Sequence, residues 1–288
     1  MKKTIIALAV SSSALASVAA VAAEETSVDL YGNIQYALSN SDAGGDFEDN
    51  GSTFGIKGET EINQDTTAFF KYELEADADE KTGDVDVAID QAFVGLKGGF
   101  GQVQIGSFDS IYNNAIQDSV DQYEYLGLES ASLTDEGDTI AYLSPSFGGV
   151  EIQVASQVNT AEGEGNESAA VVKYTTGAVT LAAGYDSSDD TVGYAVDFQA
   201  SSDLSLSAKF ETTPDTTDIT GVATRYGYGA GDVYASAQIV SPDGSDDYEE
   251  FAAGVSYNLA SNVYVYGEVG QVGSSEETQS AVGVYYGF

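Results

Sequence analysis

Few of the side chains that carry out enzyme chemistry are present in this 288-residue sequence. It has no His and no Cys, which removes a Ser-His-Asp triad, a thiol nucleophile, a disulfide and an ordinary zinc site. Carboxylates, hydroxyls and nine Lys or Arg remain. A pair of carboxylates could serve a hydrolase as acid and base, yet no two of the 47 acids mark out such a cleft. The acid runs at Asp186 to Asp190 and Asp243 to Asp247 could hold Ca²⁺ weakly, but they read more simply as exposed loop tips. Asp77-Ala78-Asp79 lacks the Gly and final Glu of a calcium hand. Gly227-Tyr228-Gly229-Ala230-Gly231 has no helix after it and reads as a turn, not a phosphate loop. The expectation is a protein that is not an enzyme, with no cofactor and no metal.

Charge narrows the partners. With 47 acidic and 9 basic residues the formal net charge is −38, which excludes a nucleic-acid partner, since that affinity needs clustered Lys and Arg. Disorder is excluded too, because apolar residues make up 42% and aromatics 11%. The first 23 residues have a basic start at Lys2-Lys3, a short apolar core and small residues up to Ala23. That pattern predicts a cleaved export signal over 1–23 and one mature domain over 24–288. Two of the nine basic residues lie in the signal, so cleavage takes the charge to −40.

The elements that must position the remaining charges alternate with a period of two. Val28, Leu30, Ile34, Tyr36 and Leu38 interleave with Asp29, Asn33 and Gln35; Phe54, Ile56 and Ile62 with Lys57, Glu59 and Glu61; Phe70, Tyr72 and Leu74 with Lys71, Glu73 and Glu75. The pattern recurs to Val282, Val284, Tyr286 and Phe288. Short turns such as 63–65, 98–99 and 176–177 take turns with long acidic connections at 39–51, 77–85, 109–137, 159–167, 186–190, 212–217, 241–247 and 273–277. About sixteen strands result.

Two architectures fit. A soluble sandwich would turn its apolar parity inward, whereas an outer-membrane barrel turns it toward lipid around a polar lumen. The alternation of short and long connections, the even strand count and the aromatics near strand ends favour the second. No run after Ala23 reaches the roughly 20 apolar residues of a membrane helix, so the predicted fold is all-β: a closed antiparallel transmembrane β-barrel.

Four stretches carry a resemblance: Val28-Asp29-Leu30-Tyr31-Gly32; Phe54-Gly55-Ile56-Lys57-Gly58-Glu59-Thr60-Glu61-Ile62; Gln91-Ala92-Phe93-Val94-Gly95-Leu96-Lys97 continuing through Gly101 to Gly106; and the ending Val284-Tyr285-Tyr286-Gly287-Phe288. Together they resemble the general trimeric porins of Gram-negative outer membranes. The resemblance implies a water-filled channel for ions and small hydrophilic solutes. It also implies a homotrimer in outer-membrane lipid and a third long loop, here 109–137, folded into the lumen. It further implies recognition of the terminal aromatics Tyr286 and Phe288 by the barrel-assembly machinery.

By the same resemblance, acids on the inward loop face basic residues on the wall. Asp109, Asp118, Asp121 and Glu124 are the candidate loop acids; Lys57, Glu59, Glu61, Lys71 and Glu73 share the lumenal parity of the wall. Family-like arginine positions hold Thr53, Ser107 and Leu143 instead, so the basic side reads as largely absent and Lys57 and Lys71 as partners of neighbouring glutamates. A cation-preferring pore is expected, with the wider acidic excess an adaptation to a saline medium. A sugar-specific channel is the main alternative, with Tyr31, Phe69 and Tyr234 as lumenal aromatics but no continuous track; a soluble secreted acidic β protein is the lesser one.

Overall fold

A computed structural model describes residues 26–79, 87–132, 136–158, 166–275 and 277–288; the expected export signal lies outside the described residues. The chain forms β1 (Ser27–Ser41), β2 (Gly44–Asp49), β3 (Thr53–Asn63), β4 (Thr66–Ala76), β5 (Val87–Gly98), β6 (Gly101–Ser107), β7 (Thr139–Leu143), β8 (Val150–Gln157) and β9 (Ser168–Thr176). It continues through β10 (Val179–Asp186), β11 (Thr191–Gln199), β12 (Leu204–Thr213), β13 (Thr217–Gly227), β14 (Asp232–Pro242), β15 (Tyr248–Ala260), β16 (Val263–Gln271) and β17 (Thr278–Gly287).

Successive strands from β3 onward pair antiparallel, and β17 pairs with β1, from Asn33 opposite Gly287 to Asn40 opposite Ser280. The other edge of β1 is shared: residues 27–32 meet β3 and residues 36–41 meet β2. β2 and β3 are therefore one wall strand interrupted at 50–52, so the seventeen segments close a sixteen-strand barrel. Gly51, at φ +78°, supplies the left-handed residue that this interruption needs. The chain end helps to seal the seam: Phe288 N–H donates to Gly32 O at 2.9 Å, and Gly32 N–H returns to Phe288 O at 3.1 Å.

The predicted parity holds around the wall. Leu30, Ile34, Val172, Leu181, Val196, Val222, Phe251, Val282 and Tyr286 all face outward and are exposed. Asn33, Lys71, Lys173, Lys209, Arg225 and Glu268, on the other parity, face in. In lipid only a closed ladder satisfies every backbone N–H and C=O, and the outward apolar set is what meets acyl chains.

One expectation needs correction. Several connections read as long acidic loops are strand and tight turn. The segment 39–51 is a β-ribbon turning at Asp42-Ala43, and the connections after β10 and β12 span only 187–190 and 214–216. Acids in those stretches are accommodated on extended strands because alternate residues face water. The non-alternating run Ala88 to Lys97 contains a β-bulge. Glu73 opposes Gln91 and Leu74 opposes Ile89, leaving Asp90 as the extra residue, so Ile89 and Val94 both face outward despite opposite parity.

Leu181 and Val196 sit directly opposite each other on β10 and β11 and face outward. Replacing either with Arg should cost about 2–4 kcal/mol if it lies near the bilayer midplane. Equilibrium urea unfolding of the barrel refolded in lipid vesicles measures this, and unchanged stability in both variants would contradict the facing.

Candidate functional site

The described residues of the connection between β6 and β7, 108–132 and 136–138, fold into the barrel. Tyr112 and Ile116 lie one helical turn apart, the Ile116 N–H donating to Tyr112 O at 3.0 Å, and with Ile111 and Ala115 they pack against Ala169, Val171, Ala182 and Ala195 on the inner wall of β9 to β11. The wall is shallow there because Gly184 and Gly193 pair across β10 and β11. A Cβ on Gly193 would come within 2.3 Å of the Tyr112 hydroxyl, and one on Gly184 within 2.8 Å of the same ring. Small inward residues thus form the seat of the loop.

Beyond that seat the loop is held by charge. Glu268 of β16, buried, accepts the backbone N–H groups of Glu124 (2.8 Å), Tyr125 (3.0 Å) and Leu126 (3.0 Å) and the Tyr234 hydroxyl (2.7 Å). Glu250 of β15 accepts the Glu129 N–H at 3.1 Å. Glu211 of β12 accepts the Tyr112 hydroxyl at 3.1 Å and pairs at 2.6 Å with Lys209, which also donates to Gln117 and to the Glu129 carbonyl. Arg225 of β13 donates to the Gln122 carbonyl at 2.7 Å and lies over the Tyr234 ring. Charge-assisted bonds to buried carboxylates are about twice as strong as neutral ones.

Exposure shows which half of the lumen stays wet. Inward residues of β9 to β16 such as Ala182, Lys209, Ile219, Glu250 and Tyr266 are buried by the loop, whereas Lys57, Glu59, Glu61 and Glu75 on β3 and β4 are exposed. The aqueous passage runs between the loop and the wall near β3 and β4.

The expected site residues distribute along this passage. Asp109 begins the loop and accepts a hydrogen bond from the Gln91 amide at 2.6 Å, while the Gln91 carbonyl accepts from Lys71 at 3.0 Å. Lys71 ion-pairs with Glu73, two residues along the same strand rather than across to a neighbouring one. Lys57 has a different partner: it lies opposite Lys71, and both ammonium groups sit over the Tyr31 ring, at 4.9 and 5.7 Å from its centroid. Tyr31 donates to Glu73 at 3.1 Å, which completes this cluster. Glu59 pairs with Lys97, and Glu61 lies near the short turn after β3.

On the loop, the Asp118 carboxyl touches water but is ringed by protein; desolvation and neighbouring Asp109 push its pKa up. Asp121 accepts the Leu128 N–H at 3.2 Å, bracing the loop against itself, and burial pushes its carboxyl up to about 6. Glu124, at the loop tip beside Tyr264 and Gln35, is raised by burial and by Glu268. Tyr286 is outward on β17, and Phe288 closes the seam.

The basic side is fuller than the sequence reading allowed, because Lys97, Lys173, Lys209 and Arg225 also take lumenal positions. The anchors Glu211, Glu250 and Glu268 were missed as well. Their signal was a large acid on the inward parity next to small residues, as with Gly254 beside Ala252 and with Gly270 two residues after Glu268.

Residues 6–277 match the model of a Gram-negative porin family. This chain belongs to that family. A monosaccharide porin from Halomonas sp and the major outer membrane protein of Halomonas elongata are each 31% identical to this porin over 93% of its length and 94% of theirs. A solved anion-selective porin from Comamonas acidovorans shares the fold, with a TM-score of 0.74, 19% identity and coverage of 92% of this chain and 100% of that one. The porin is a channel protein of the outer membrane, not an enzyme.

Glu268→Ala should strand the three loop amides at about 1–3 kcal/mol each where water does not replace the carboxylate. The expected outcome is noisier single-channel current and new protease cleavage between Tyr123 and Gly127, with the β-sheet circular dichroism unchanged. Gly193→Val, which removes the seat of Tyr112, should act in the same direction.

Proposed function

We propose that this porin conducts ions and small hydrophilic solutes passively through the open half of its lumen and prefers cations. One observation carries the reading: the charge within reach of water is mainly negative. Asp109, Asp118 and Glu124 on the loop and Glu61 and Glu75 on the wall are exposed, against the exposed Lys57 over Tyr31. Lys71 is paired with Glu73 and Lys97 with Glu59, while Lys209 and Arg225 are committed to the loop. A negative lumen raises local cation concentration, and fixed charges choose the ion sign. The fold itself leaves that sign open, since the Comamonas acidovorans porin is anion-selective on the same architecture.

The name of the Halomonas relative, monosaccharide porin, favours a second reading in which small sugars are a preferred cargo. By the resemblance stated above, the working unit is a homotrimer, with Tyr286 and Phe288 as its assembly signal. Exposed acids far from the passage, such as Asp46, Asp190, Asp246 and Asp247, are read as adaptation to salt, because at 1 M the Debye length falls to about 3 Å and self-repulsion fades.

Reversal potentials across a KCl gradient test the ion preference. At pH 7.5 cation selectivity is expected; a marked anion preference would remove the proposal. The raised loop carboxyls set the pH dependence. Asp121 titrates near 6, so it is charged at pH 7.5 and neutral at pH 5. Cation preference should therefore weaken over that interval, and Asp121→Asn should flatten part of the change.

A further inference from the structure

Tyrosines gather on one inward strip of the wall. Tyr264 of β16 lies directly opposite Tyr285 of β17, their rings stacked 4.7 Å apart at 15°, and Tyr266 extends the strip 6.5 Å from Tyr264. Tyr264 and Tyr285 are only half-buried, so aryl surface stays open to the lumen. The Tyr264 hydroxyl faces the Glu124 carboxylate at the loop tip, and Glu73, which accepts from Tyr31, stands beyond β1.

Neither lipid nor ion flow accounts for this patch. Lipid does not reach it, and half-wet aromatic rings forgo much of the burial that would justify them as packing. A quaternary ammonium is best held with rings on several sides, whereas these two rings cover each other's inner faces and leave one outer face apiece. A flat face beside carboxylates suits a ring with an apolar C–H side and a rim of hydroxyls. The C–H bonds lie on the aryl surface, and the hydroxyls donate charge-assisted bonds to Glu124. The same carboxylates repel phosphorylated or acidic sugars.

We propose that Tyr264 and Tyr285, with Glu124, form a docking step for neutral pyranose monosaccharides on the way through the lumen. The proposal rests on the channel reading and its small-sugar variant above, and names the residues that would hold such a cargo.

The test compares glucose with sorbitol, which carries similar hydroxyls on an open chain without a ring face, as blockers of single-channel current through the full-length porin in a planar bilayer. The half-blocking concentration should be lower for glucose than for sorbitol by about two- to tenfold, the range one aromatic stacking contact supports. Tyr264→Leu/Tyr285→Leu should abolish the difference while conductance steps persist, and Tyr264→Phe/Tyr285→Phe should retain it. If the double leucine variant does not assemble, Tyr285→Leu alone is read the same way. Equal block by glucose and sorbitol in the wild type, or discrimination that survives the leucine change, overturns the docking step and leaves the channel standing. Absence of conductance steps in the wild type overturns the channel reading instead.

Discussion

Every backbone amide and carbonyl that crosses hydrocarbon must find a partner within the protein, and that constraint organises this molecule. It requires the ladder to close, so β17 returns to β1 and the terminal residue clips onto Gly32. Closure then divides the side chains by parity. Apolar residues go out to lipid and the described Lys and Arg residues of the mature chain go in: Lys57, Lys71, Lys97, Lys173, Lys209 and Arg225. The lumen is the place where a chain this acidic can put charge without exposing it to acyl chains.

A barrel this wide lacks the dry middle that stabilises a soluble domain, and the inward loop supplies a small substitute. Tyr112 and Ile116 settle on glycine and alanine, while three buried glutamates, each on a different strand, take up polar groups that the loop brings with it: Glu268 and Glu250 backbone amides, Glu211 the Tyr112 hydroxyl. The hydrophobic seat, with Glu211 on the Tyr112 hydroxyl, fixes where the loop lies, and the Glu250 and Glu268 carboxylates fix its course across the lumen. The outcome is asymmetric: half the wall is covered and half is wet, and the passage occurs only along the wet half. Position of the loop, more than diameter of the barrel, therefore governs what can pass.

The same economy explains why counting charges misleads here. Glu211, Glu250 and Glu268 are acids that never meet a passing ion, because they are spent on loop amides and hydroxyls. Lys209 and Arg225 are cations in the same situation. Only the remaining groups act on permeating solutes, and among these the loop acids and the Tyr31 cluster stand nearest the passage. Structural and selective charges share one inward parity, and their roles separate only through what the loop covers.

Much of the architecture was legible in the residue order. Alternation such as Val282, Val284, Tyr286 against polar neighbours determines which face of each strand meets lipid, since a pleated strand sends successive side chains to opposite sides. The absence of His and Cys determined what chemistry is missing. Local pattern could not reveal that Asp90 is a bulge or that 39–51 is ribbon, because register depends on the partner strand. Nor could it separate Glu268, a clasp, from Glu61, an open wall acid, or bring Tyr264 against Tyr285. Register between neighbouring strands decides the bulge, the ribbon and the tyrosine pair, and Glu268 becomes a clasp only when the loop, more than a hundred positions away, folds onto it.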